Sequence, residues 1–506
     1  MSSTTPYITT PIYYVNDRPH IGHVYTTTLC DVYARAMRQR ECGAFFLTGT
    51  DEHGVKVEQS AINQGITPQE LADKNSAEFQ SMLDKFSITN DKFIRTTDPY
   101  HIRQVQKFVS TLLESGDIYL GTFEGWYDEG QEEYHTETSA RELDYVSPVS
   151  GRPLSRAKEQ NYYFKLSKYQ PILEELFSSE AYFVRPESRR NEMLGRLKEG
   201  LQDVPISRTN FSWGIPMPND NEHVIYVWID ALFNYITALG LGEDDSKTNK
   251  LWPATYHVVG KEILWFHAIV WPAILLALDL PLPKCIYAHS FWISEGRKMS
   301  KTLGNFIDME KIDFYVSRYG EDAWRYYLIT QGPLGSTDAD FVYEKFHDIY
   351  NAHLVNTVGN CASRITAMIE KYCDGLVPPA SSSEIRNQEA DAIYIFDWSS
   401  RSQDYFHRYN KAIDSFALDK AADAAMELVR DIDLFINNTA PFKLAKDTSK
   451  RDILDSILYE CAEAIKLVSI MLEPVMPAKM RELQMAFSTG TRVKKIALFP
   501  RLEKEE

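Results

Sequence analysis

The chain has 506 residues and a formal net charge of −17, with 44% hydrophobic and 25% charged residues. This is ordinary globular composition, long enough for roughly two to four domains, and its acidity excludes bulk electrostatic binding of nucleic acid, so a polyanionic partner needs a local basic patch. No apolar run reaches bilayer length: the longest, residues 267–282, is broken by Pro272 and carries Asp279 near its end.

The N-terminus has neither a basic segment ahead of an apolar core nor an Arg-rich amphipathic stretch, so a cytoplasmic protein is expected. Six cysteines stand at 30, 42, 285, 361, 373 and 461, none in a C-x-x-C pair. They read as reduced thiols, not as a zinc knuckle or a disulfide framework. PYITTPIYYV (6–15) is β-branched and aromatic and predicts a buried strand. Residues 24–43 predict a helix stopped by Gly43, and AFFLTGTDEHG (44–54) a second strand. Strand, helix, strand in this order predicts a parallel α/β sheet whose ligands sit at the strand C-termini.

Thr67, Pro68 and Glu70 form a capping box that opens a helix over 67–86, and a further helix over 98–116 stops at Gly116. From about 117 to 223 the texture turns to Tyr, Glu, Ser and Pro with short strand-like runs, as in an inserted domain. Its basic run RPESRRNEMLGRLK (185–198) reads equally as a polyanion patch or a solvated helix face. Sheet texture resumes at 223–232 and 256–271. After a loop-rich stretch holding GRKMSKTLGN (296–305), strand signals nearly vanish from 343 onward. Residues 351–373, 417–438 and 451–475 have helical spacing. The expected fold class is α/β, a split parallel sheet followed by a C-terminal helix bundle.

His20 and His23, in RPHIGHVYTT, lie three apart at the head of the first helix. A helix beginning near Ile21 puts both imidazoles on one side of its first turn, beside the N–H groups and positive dipole end that suit phosphate. Taken alone, the stretch reads more plainly as a helix start with two capping or exposed histidines. In GRKMSKTLGN, Gly296 and Gly304 bracket Lys298, Ser300 and Lys301. A mobile loop with two ammonium groups can close on a leaving pyrophosphate, although alone it reads as a solvated basic loop.

Together, an N-terminal HIGH at a strand–helix junction and a distant KMSK resemble the signature pair of class I aminoacyl-tRNA synthetases. PYITTPIYYVNDRPHIGHVYTT, FLTGTDEHG, YVWIDALFNY and the helical tail with NNTAPF narrow the likeness. Over nearly its whole length the chain resembles the methionyl-tRNA synthetase family. The resemblance implies a Rossmann catalytic domain in two parts (1–116 and 224–290) split by a connective insertion (117–223). A stem-contact region with the lysine loop (291–350) and an anticodon-binding helix bundle (351–506) then follow. It implies a ligase that uses ATP with Mg2+ to convert L-methionine to methionyl-adenylate, releasing pyrophosphate, and then transfers methionine to the 3′ end of tRNA(Met).

By the same resemblance His20, Gly22 and His23 bind ATP, with Lys298, Ser300 and Lys301 at its phosphates, and Lys298 and Lys301 stabilise the transition state. Thr302 keeps a hydroxyl where serine is often found. Arg208 and Glu262 match positions around the adenylate, Glu262 at the ribose, and Gly260 lets the backbone approach the nucleotide. Asp51 matches the acid that holds the substrate ammonium. Ile12, Tyr14, Trp228, Ala231, Leu232, Tyr235, Ile263, His267 and Trp271 match the lining of an apolar, adaptable slot for a thioether, with Tyr235 and His267 facing the sulfur. Trp228 and Trp271 would also serve as core aromatics. Asn360 and Arg364, four apart on one helix face, match the anticodon-reading pair. Phe442 stands where many relatives carry Trp; it keeps a stacking face and lacks the indole donor.

Two departures from the family pattern matter. Residues 125–153 lack cysteine, so no structural zinc is expected, and the chain ends in RLEKEE without the extra domain of dimeric relatives, so a monomer is expected. The competing readings are a class I synthetase of another specificity and a non-catalytic synthetase-like RNA-binding protein. Leucine, isoleucine and valine enzymes are usually much longer, cysteine enzymes usually hold a metal at the substrate thiol, and non-catalytic paralogues are expected to lose signature residues that are intact here.

Overall fold

In the computed structural model, which describes residues 5–16, 18–128, 133–135, 137–241, 250–299, 304–380, 398–488 and 491–504, the apolar N-terminal run forms two strands, not one. Tyr7–Thr9 and Tyr13–Tyr14 are separated by Pro11, which has no N–H to donate to a ladder. Both pair in parallel with Phe45–Asp51, Tyr7 opposite Phe45 and Tyr14 opposite Asp51. The chain divides into two compact units. The first comprises residues 1–18, 45–81 and 90–288, and the second 19–44, 82–89 and 289–506.

The first unit is built on a seven-stranded sheet. Its order is Tyr13–Tyr14, Phe45–Asp51, Tyr7–Thr9, Tyr256–Gly260, Ile286–His289, Val184–Arg185, and Lys92–Arg95 also pairs with Phe45–Asp51, along Leu47–Thr50. The pairings of Phe45–Asp51 with its three partners, of Tyr7–Thr9 with Tyr256–Gly260 and of Ile286–His289 with Val184–Arg185 are parallel, and Tyr7, Leu47, Val259 and Ile286 are fully buried, as expected of a sheet covered on both faces. The helix Pro99–Glu114 buries Val105, Val109 and Leu112, and its following Gly116 takes a left-handed φ of 73°. The capping box at 67–70 forms: Thr67 N donates to Glu70 Oε2 at 2.8 Å, and Glu70 N to Thr67 Oγ1 at 3.2 Å. Within 117–223, Ile118–Asp128 and Ser155–Phe164 make a long antiparallel ribbon, while Val184–Arg185 joins the edge of the main parallel sheet.

Two stretches expected as sheet are mostly helical. In 223–232 the strand ends at Ile225 and a helix, Val227–Leu232, follows. In 256–271 the strand ends at Gly260, then short turns lead to a π-helical segment, Phe266–Val270, and the helix from Trp271. Both runs are mostly apolar and largely buried, and their few polar residues keep no regular spacing, so periodicity cannot separate strand from buried helix.

In the second unit the first helix spans Ile21–Gln39, earlier at both ends than 24–43, with Arg40 as its C-cap and Gly43 beyond it at φ 68°. Its Asp31 is fully buried with Arg325 of the helix Glu321–Gln331, at 2.6 Å. The described residues of 343–486 are helical with short connections. Asn360–Tyr372, Leu418–Thr439 and Arg451–Leu472 lie within the expected bundle, as does Trp398–Asp414, which its polar and aromatic texture hid. Among the described residues no helix is long and apolar enough to cross a membrane.

Candidate active site

The candidate residues fall into two groups, one in each unit. In the second unit, His20 is the N-cap of Ile21–Gln39 with extended backbone. Gly22 N donates to His20 Nδ1 at 3.1 Å, and His20 N donates to His23 Nδ1 at 3.2 Å. This is a capping box built from two imidazoles. Because each Nδ1 accepts, each neutral ring carries its proton on Nε2, at the opposite edge. The rings lie 3.9 Å apart between centroids. Burial, with His20 beside it, holds the His23 pKa well below the ordinary value, so His23 is a neutral donor at neutral pH. Gly22 is needed by His20 itself, since a Cβ there would sit 2.9 Å from His20 Cε1.

The same head of the helix meets the end of the lysine-loop stretch. His20 packs edge-on against Phe306 at 5.1 Å and bridges Asp308, and Ile21 N donates to Ile307 O at 3.1 Å. Asp308 in turn caps the helix Met309–Tyr319 through Lys311 N. Lys298 is exposed on the short strand Arg297–Lys298. The base of the loop is closed by Asn305, whose amide donates to Ser294 O at 3.1 Å and Lys298 O at 3.3 Å. Ser300, Lys301 and Thr302 lie outside the described residues.

In the first unit a slot forms around Val227–Leu232 and the π-helical segment. Trp228 stacks on Phe266 at 4.5 Å with rings nearly parallel, and Ala231, Leu232, Tyr235 and Trp271 are buried. Ile12, Tyr14 and Ile263 are partly buried against the same core. His267 Nδ1 is 2.9 Å from Ile263 O, so it carries the proton, and His267 Nε2 accepts from the Tyr235 hydroxyl at 2.7 Å. Burial lowers the His267 pKa to about 4, which keeps this pair neutral. Trp271 is fully buried, and its Nε1 has no hydrogen-bond partner among the described residues. Asp51, 7% exposed, ends its strand beside Tyr14. Gly54 takes φ 108° where a Cβ would lie 2.8 Å from the Tyr14 hydroxyl.

Arg208 is buried on Ser207–Arg208, its guanidinium 4.1 Å from the Tyr226 ring centroid. Gly260 makes room for Glu262, whose carboxylate a Cβ would meet at 2.4 Å. The basic run 185–198 is largely taken up in local contacts: Arg189 with Glu192, Arg190 with Phe177 O, and Arg196 over Trp265.

In the helical bundle Asn360 is exposed at the start of Asn360–Tyr372, and Arg364 is four residues on. The Arg364 guanidinium donates to Asp433 at 2.7 Å and Asn437 at 2.9 Å. Phe442 is 46% exposed in Pro441–Leu444. Sequence reasoning missed Phe266, Asn305, Asp433 and Asn437. Phe266 could have been found as the aromatic just before His267, Asn305 as the end of GRKMSKTLGN and Asn437 as the start of NNTAPF, whereas Asp433 carries no local signal.

The family described as tRNA synthetases class I (M) matches residues 6–143 and 139–366. The chain is 45% identical over 482 residues to a methionine–tRNA ligase of Enterococcus faecalis, covering 93% of the chain and 70% of the relative. Against the methionine–tRNA ligase of Bacillus subtilis it is 40% identical over 537 residues, covering 100% and 79%. The fold is similar to that of Mycobacterium tuberculosis methionyl-tRNA synthetase in complex with methionyl-adenylate, with a TM-score of 0.88 and 34% identity over 96% of this chain and 95% of that one.

Proposed function

The chain belongs to the class I methionyl-tRNA synthetases, and from that premise we propose how its residues share the chemistry of a methionine–tRNA ligase. The enzyme joins methionine to ATP as methionyl-adenylate, then transfers the methionyl group to tRNA. A methionine carboxylate oxygen attacks the α-phosphorus, the bond from that phosphorus to the bridging oxygen breaks, and pyrophosphate leaves. Such a step depends on positioning and on stabilising charge that develops on oxygen. His20 and His23 donate Nε2–H to ATP phosphate oxygens beside the positive end of Ile21–Gln39. Lys298 adds charge there, a role the reading extends to Lys301, with Ser300 as a neutral contact to the ATP. Arg208 lies along the adenylate and Glu262 at its ribose, with Gly260 leaving space. Mg2+ is assigned to the ATP polyphosphate as part of the substrate; among the described residues no group of three or more His, Cys, Asp or Glu could hold a metal ion.

Asp51 takes the methionine ammonium, and Ile12, Tyr14, Trp228, Ala231, Leu232, Ile263 and Trp271 enclose the side chain. The Tyr235–His267 pair gives an otherwise apolar wall one neutral polar edge. That suits a polarizable thioether and leaves a charged side chain without adequate partners. Tyr235→Phe leaves His267 Nε2 buried without its donor, a cost of about 1–3 kcal/mol. Its methionine KM is expected to rise about tenfold while the ATP KM stays near wild type, as read by pyrophosphate exchange. Asn360, Arg364 and Phe442 are proposed to read and stack on the tRNA(Met) anticodon. The same reading carries a monomer acting in the cytoplasm, checked by sedimentation and by cell fractionation.

The observation that carries the nucleotide assignment is His20, which caps the helix and meets Phe306 and Asp308 just past the lysine loop. His20→Asn tests it, because Asn is an equally good N-cap but has no Nε2–H. Thermal stability is expected to hold, while pyrophosphate exchange falls by about two orders of magnitude or more. Full activity in this variant would leave His20 a cap and nothing else.

A further inference from the structure

The first unit holds a buried carboxylate that none of these roles uses. Asp230 is 1% exposed and stands in Val227–Leu232 between Trp228 and the adjacent Ala231. Its Oδ2 lies 2.7 Å from His53 Nδ1 and its Oδ1 2.7 Å from His101 Nε2. His53 and His101 are themselves 4% and 0% exposed. At its other edge His101 places Nδ1 2.8 Å from Thr237 Oγ1. A carboxylate only accepts, so both facing nitrogens are N–H donors: Nδ1 of His53 and Nε2 of His101. Burial pushes the Asp230 pKa up, but the two imidazoles more than offset it and hold the group below the ordinary range.

Each link reaches a different stretch of the slot. His53 comes two residues after Asp51, Asp230 shares its helix with Trp228, and Thr237 comes two residues after Tyr235. One buried acceptor therefore ties the proposed ammonium ligand, the aromatic wall and the sulfur-facing tyrosine into a single arrangement. We propose that Asp230 is the positioning residue of the methionine slot, setting through His53 and His101 the mutual geometry of Asp51, Trp228 and Tyr235; this rests on the assignment of that slot to methionine.

The donor geometry supplies the test. An Asn side chain puts its amide nitrogen where a histidine Nδ1 lies, and a Gln side chain where Nε2 lies. His53→Asn and His101→Gln therefore keep a donor facing Asp230, and His53→Gln and His101→Asn do not. In pyrophosphate exchange the matched pair is expected to keep the methionine KM within about threefold of wild type, and the mismatched pair to raise it about tenfold or more. The ATP KM and kcat stay within about threefold in all four. Asp230→Asn raises the methionine KM as well, because its amide presents a donor to one of two donor nitrogens. Equal methionine KM values in matched and mismatched variants overturn the proposal. So does a joint fall of kcat and rise of both KM values that tracks lost thermal stability, since that is scaffolding alone. Where Asp230→Asn does not fold, the histidine variants decide. Wild-type exchange driven by an amino acid other than methionine marks failure of the slot assignment itself, and is told apart because it needs no variant.

Discussion

Asp51→Asn is expected to lower kcat/KM for methionine by about a hundredfold or more in pyrophosphate exchange, with the ATP KM near wild type. The carboxylate is almost wholly out of water, at the end of Phe45–Asp51. The two residues that follow it are fixed. Glu52 accepts from Arg95 Nε at 2.7 Å and Nη2 at 2.9 Å, and its carbonyl accepts from Trp213 Nε1 at 2.6 Å. His53 is held by Asp230. In its proposed role Asp51 thus meets an incoming ammonium with little reorganisation, in a setting where a charge-assisted hydrogen bond contributes about 1.5–3 kcal/mol and an unmatched ammonium costs as much again. The amide keeps the shape and removes the charge. An analogue of methionine without its amino group separates the causes: as a competitive inhibitor it should bind wild type and variant alike. Equal losses for methionine and analogue would show that the substitution distorts the slot instead.

Much of the fold was legible because local chemistry agrees with it. The Thr67–Glu70 box, the β-branched strands and the helical spacing after 343 each name their element without tertiary help. What stayed hidden was set by burial. In 223–232 and 256–271 the chain is mostly apolar and its polar residues are themselves largely buried, so the helix Val227–Leu232 and the π-helical Phe266–Val270 left no solvent-facing polar stripe to give a period. Among the candidate site residues, motifs pointed to His20, Lys298 and Asp51, but not to their partners. His20 with Phe306, Arg364 with Asp433, and Asp230 with His53 join residues that are far apart in the chain. A buried acid such as Asp230 looks, in sequence, like one stray charge in an apolar run. The structure also changes the meaning of Gly22: the ring that excludes a side chain there is that of His20, within the motif itself.

Arg325→Leu is expected to cost the second unit about 3–5 kcal/mol, the magnitude for removing one member of a buried ion pair. Arg325 is fully buried and donates to Asp31 Oδ2 at 2.6 Å, Phe86 O at 3.1 Å, Val475 O at 3.0 Å and Pro474 O at 3.0 Å. It therefore joins the helix that begins at the two signature histidines to the turn after Arg451–Leu472. Leucine fills part of the space, but it strands three carbonyls and leaves Asp31 with Arg35 and Thr89. The pH dependence gives the sharper check. Burial raises the pKa of Asp31, and Arg325, then Arg35, pull it down to a net depression. A carboxylate with a depressed folded pKa stabilises the fold above its unfolded value near 3.9, and that contribution is lost as pH falls through the folded value. Without Arg325 most of the depression goes. The stability gap between wild type and variant should then be largest near neutral pH and shrink as the pH falls below about 4. Chemical denaturation of both proteins from neutral pH down to pH 3 measures that gap. A difference that does not vary with pH would mean that the loss comes from the stranded carbonyls and the cavity, and not from the ion pair.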